Sequence, residues 1–65
     1  MQVIQTTKDS ASALFTEAEL ILLNNVLNEV LHGINISEFE TRLGASRLEA
    51  EELLHQINSL LSKMR

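Results

Sequence analysis

Apolar residues in the last third of the chain recur at the spacing of a single helix face. Ala50, Leu53, Leu54, Ile57, Leu60, Leu61 and Met64 form one stripe with a 3.6-residue period, and Glu51, Glu52, His55, Ser59 and Ser62 occupy the opposite side. The spacing predicts a helix over 47–63. An earlier segment is apolar over a wider arc. Leu20, Leu23, Leu27, Val30 and Leu31 share one face of a predicted helix 17–32, Leu22 and Val26 broaden that face, and Ile21 lies beyond it. Asn24, Asn25 and Asn28 interrupt the pattern. Phe39 and Leu43 mark a short helix over 38–43 between the two long ones.

Start and stop signals support these segments. Thr16-x-x-Glu19, Ser37-x-x-Glu40 and Ser46-x-x-Glu49 each fit the capping box, in which a hydroxyl accepts from the backbone N–H three residues on and the glutamate reaches back. Phe15 and Leu20 have the spacing of a hydrophobic staple across the first cap. Gly33 and Gly44 follow the first two helices, where a left-handed residue is expected. Glutamates in the first turns of the last helix, and Lys63 and Arg65 at its end, complement the helix dipole. Residues 1–13, rich in Ser, Thr and Gln, read as a flexible tail, with a short strand over Gln2–Gln5 as the alternative. The expectation is an all-α fold: one three-helix domain over 14–65 behind a loosely ordered tail over 1–13.

Composition narrows the chemistry. Sixty-five residues suffice for one small domain, and the absence of cysteine removes disulfides, thiolate metal sites and a catalytic thiol. Twelve leucines, two glycines and no proline favour helices. The longest aliphatic run, residues 20–23, is far short of the ~20 residues of a membrane span. Residues 1–13 lack the basic start and apolar stretch of a signal peptide, so a cytoplasmic location is expected. A net charge of −4 argues against generic binding to nucleic acid or anionic membranes.

Residues 36–55, ISEFETRLGASRLEAEELLH, resemble the helix-turn-helix superfamily. The resemblance implies that Phe39 and Leu43 are buried in the first helix, that Gly44 makes the turn, and that Ala45, Ala50 and Leu53 pack the second helix onto the first. Residues 14–32 would form the supporting helix. It also implies that Ser46 and Arg47, opening the second helix, would face base edges in a DNA-binding member. This chain has Glu40 where the family prefers a small residue. Its second helix opens with Glu49, Glu51 and Glu52 around a single Arg47, whereas phosphate neutralisation takes several cations.

Other candidate chemistry is sparse. Glu29-x-x-His32 and Glu52-x-x-His55 have the spacing of di-iron carboxylate ligands, but they lie off the apolar stripes and read as solvated faces. His55 and Ser59, one turn apart, lack an orienting third group. No metal, cofactor or catalytic residue is expected. The sequence therefore reads as a small non-enzymatic protein-interaction module, a homodimer with a regulatory or adaptor role toward an unidentified protein partner. The wide apolar arc of the first helix and the end of the last place Ile21, Leu22, Val26, Leu60, Leu61 and Met64 at the interface. The alternative is a helix-turn-helix DNA-binding transcriptional regulator that uses Ser46 and Arg47.

Overall fold

The computed structural model describes residues 1–64; Arg65, placed above at the end of the last helix, lies outside the described residues. The fold is mixed rather than all-α. Residues that read as a flexible tail form an antiparallel hairpin, β1 (Gln2–Thr6) and β2 (Ala11–Leu14). Its turn is built by Thr7. The Thr7 hydroxyl accepts from the N–H of Asp9 and Ser10 at 3.3 and 3.0 Å, and the Thr7 N–H donates to the Ser10 carbonyl at 2.8 Å. A threonine that bonds backbone groups ahead of it mimics a turn residue, so no Gly or Pro is required. Val3 pairs with Ala13 and Gln5 with Ser12, which leaves Ile4 as an extra residue in β1, a bulge.

Helix α1 (Glu17–Asn28) starts as the capping box requires. The Glu19 N–H donates to the Thr16 hydroxyl at 3.1 Å, and the Thr16 N–H donates to the Glu19 carboxylate at 2.9 Å. The same carboxylate receives the Met1 amino group, which ties the hairpin to the first turn of α1. The helix then widens into a π turn, Glu29–Gly33, closed by the Ile34 N–H on the Glu29 carbonyl at 3.0 Å. Gly33 lies inside this turn without a positive φ, so it is not the left-handed terminator expected from its position. The Glu29 carboxyl folds over the space that a side chain at Gly33 would fill.

Helix α2 (Phe39–Leu43) is a short helix whose N-terminus departs from the sequence signal. Ser37 does not cap it. The cap position is Glu38, held left-handed at φ 53° and ψ 45°, with no side-chain bond to the helix. Gly44 is left-handed at φ 73°, as a terminator should be, and its N–H donates to the Glu40 carbonyl at 2.8 Å. Helix α3 (Arg47–Lys63) begins with the second intact capping box: the Glu49 N–H donates to Ser46 at 3.1 Å, and the Ser46 N–H donates to Glu49 at 3.0 Å.

Helices α1 and α3 run antiparallel, since the start of one packs on the end of the other. Leu20, Ile57 and Leu61 form one buried cluster, with Leu27 against it. Leu31, Phe39 and Ala50 form the second, flanked by Val30, Ile36 and Leu54. These six are the buried apolar residues among those described, and none of them has a fully enclosed side chain. The molecule is thin, 35 × 32 × 15 Å, with a radius of gyration of 13.3 Å, against about 10.7 Å for a compact chain of this length. Among the described residues no helix is long and apolar enough to cross a membrane.

Three outcomes test this architecture. Ile57→Ala should cost about 2–5 kcal/mol in chemical denaturation, while Leu48→Ala, at an exposed position, should change stability by no more than about 0.5 kcal/mol. Glu38→Gly should raise the melting temperature, because a left-handed residue with a Cβ costs about 1–2 kcal/mol and glycine gives back only about 0.5–1 kcal/mol of that through chain entropy. The third concerns pH. Hydrogen bonds from the Met1 amine and from Thr16 hold Glu19 below the ordinary glutamate range, and those from Ser46 do the same for Glu49. Both groups bind a proton more weakly folded than unfolded. Their contribution is therefore complete above the ordinary value of about 4.5 and is lost as the pH falls through the lower folded values. Stability followed from pH 6 downward, in wild type and in Glu49→Gln, should show a shallower acid loss in the variant.

Candidate functional site

The seam between α1 and α3 is one layer deep, so each side of it is a surface. The two sides differ in chemistry. On one, Leu27 and Val30 of α1, Leu43 of α2, and Ala45, Ala50 and Leu53 around the start of α3 line an apolar groove, with Glu49 at its margin. Helical spacing extends this side along both helices. Leu23 and Val26 stand one turn from Leu27 and Val30, and Leu60 and Met64 follow Leu53 two and three turns on. Val26, Leu53, Leu60 and Met64 are each about half exposed, at 50, 49, 50 and 49%.

The opposite side is polar. Ile21, Asn24, Asn25, Asn58, Leu61 and Ser62 line a groove there. Asn58 donates to the Leu54 carbonyl one turn back at 3.3 Å, and the buried Asn24 carbonyl oxygen has no donor among the described residues. Of the six residues expected at an interface, Val26, Leu60 and Met64 lie on the apolar side, and Leu22 is exposed farther round α1. Ile21 edges the asparagine groove. Leu61 is buried with Leu20 and Ile57 and reaches the surface only as part of the asparagine groove. Leu43 and Leu53, which the sequence reading assigned to internal packing, are exposed on the apolar side. Helical spacing puts Leu53 and Leu60 at one margin of the α3 stripe and Leu54 and Leu61 at the other, so burial of Leu61 leaves Leu53 exposed.

Ser46 and Arg47 are engaged within the chain. The Ser46 hydroxyl caps α3. The Arg47 guanidinium stacks on the Phe39 ring, 4.5 Å from its centroid, and donates from Nη1 to the Leu31 carbonyl at 3.1 Å. It thereby satisfies a carbonyl of the π turn, where the regular helical ladder has ended, and clamps α2 between α1 and α3. Arg47 remains exposed as a residue while its guanidinium is engaged by these two contacts.

The remaining candidates are dispersed. Glu29, His32, Glu52, His55 and Ser59 are all exposed, and among the described residues no three His, Asp or Glu side chains converge on a point that could hold a metal ion. A third concavity, lined by Met1, Gln2, Leu14, Phe15, Thr16 and Glu19, lies where the hairpin meets α1. The chain matches no protein-family model, no curated protein and no solved structure.

Proposed function

We propose that this chain is a non-enzymatic protein-interaction module that works as a homodimer, with the apolar side of the α1 and α3 pair as its self-association face. The observation that carries the reading is a surplus of surface. The chain exposes 5246 Å², whereas a compact monomer of its mass exposes about 4,200 Å². The surplus, about 1,000 Å², is close to the ~800 Å² that each partner buries in a standard interface. On this face Val26, Leu43, Leu53, Leu60 and Met64 are 44–50% exposed, and an exposed apolar patch on a small protein marks an interaction site.

A second copy would cover that face. Two antiparallel helix pairs apposed about a two-fold axis make a four-helix arrangement, and an isologous contact needs only one self-complementary patch. Leu23, Val26, Val30, Leu53, Leu60 and Met64 would then form a shared core in place of a one-sided stripe. A regulatory or adaptor role toward a further protein is the reading that agrees with a surface whose polar groups are scattered rather than convergent.

Sedimentation equilibrium at on the order of 50 µM, a concentration that populates dimers of micromolar affinity, is the test. The wild type should sediment as a dimer, and Val26→Glu/Leu53→Glu as a folded monomer, because both sites are half exposed in the single chain. A wild type that is folded and monomeric at that concentration overturns the proposal.

A further inference from the structure

The hairpin presents a second unpartnered surface of a different kind. A two-stranded hairpin is marginal by itself, and three or more strands or a covering helix are usually needed. Here every strand residue is exposed except Ala13, which is half-buried. Free strand edges are normally guarded by lysine, proline or a bulge. β1 has its bulge at Ile4. β2 has no guard: Ala11, Ser12, Ala13 and Leu14 are uncharged, unbulged and small up to the last residue.

The direction of the free backbone groups follows from the turn. The Thr7 N–H reaches across to the Ser10 carbonyl, so that pair bonds inward. An antiparallel ladder alternates. Thr6 with Ala11 is then an outward pair, Gln5 with Ser12 an inward one, and the alternation brings Ala13 outward again. The outer edge of β2 thus offers the N–H and C=O of Ala11 and Ala13, with Ser12 between them.

We infer that β2 is a strand-addition edge whose occupant is β2 of a second copy. The edge is self-complementary. With a two-fold axis at Ser12, Ala11 of each chain faces Ala13 of the other, and each facing pair can exchange two backbone hydrogen bonds. The two hairpins become a continuous four-stranded antiparallel sheet, β1-β2-β2-β1, with the bulged strands outermost. No charged side chain lies in either β2, and alanine and serine let the strands approach without obstruction. The inference rests on self-association but not on which helix face carries it.

Amide hydrogen exchange followed by NMR on the full chain tests this directly. It is measured at a concentration where sedimentation gives the dimer and again after dilution to the monomer. The Ala11 and Ala13 amides should exchange about tenfold or more slowly in the concentrated sample, with Ser12 protected in both by its partner in β1. A dimer in which Ala11 and Ala13 exchange freely overturns the strand pairing and leaves the helix-face dimer standing. Protection that persists unchanged in the monomer overturns it too, since the edge would then be covered within one chain. A chain monomeric throughout overturns both readings together.

Discussion

The packing of Leu20 against Ile57 and Leu61 is the contact on which the rest of this fold depends. It joins the beginning of α1 to the end of α3 and so fixes the antiparallel pair. The second cluster, around Leu31, Phe39 and Ala50, closes the other end and holds α2 by the burial of Phe39. Two helices pressed together make one layer, and domains ordinarily need two layers to enclose a core. From that single deficit follow the incompletely enclosed core, the exposed aliphatic side chains and the excess surface.

Polar contacts do what the thin core cannot. Two capping boxes define where α1 and α3 begin. Arg47 joins three elements at once by stacking on Phe39 of α2 and donating to the carbonyl of Leu31. Its position as the first residue of α3, directly after the cap, lets one side chain reach both neighbours. The acidic character of the chain leaves this arginine with few cationic companions.

The long helices were legible because their signals are local and redundant: period, cap and terminator agree for α3 and for the start of α1. Gly44 was legible for the same reason. The hairpin was not, because β2 is made of alanine, serine and one leucine, which carry little strand preference, and because the bulge at Ile4 breaks the alternation that would betray β1. Ser37 failed as a cap although its sequence matches that of Ser46. The π turn ends α1 one residue out of phase with the regular helix, and the chain enters α2 through a left-handed Glu38 that leaves Ser37 away from the first turn. The interaction surface was half legible. The breadth of the α1 arc announced it, but only the relative placement of the two helices separates the leucine side, with Leu53 on it, from the asparagine side, with Ile21.

The left-handed backbone at Glu38 sets an order on how this molecule comes apart. The segment from the π turn to Gly44 has strain at its entry, a single five-residue helix, and Phe39 as its main anchor. Local opening free energies are lowest where burial is thinnest and backbone strain is released. Local opening should therefore begin in this segment before α1 and α3 part at Leu20 and Ile57. When it leaves, Arg47 loses its aromatic stack and Leu31 loses one wall of its pocket. Opening there would bare Phe39 and Leu31 and leave a surface more apolar than that of the native fold.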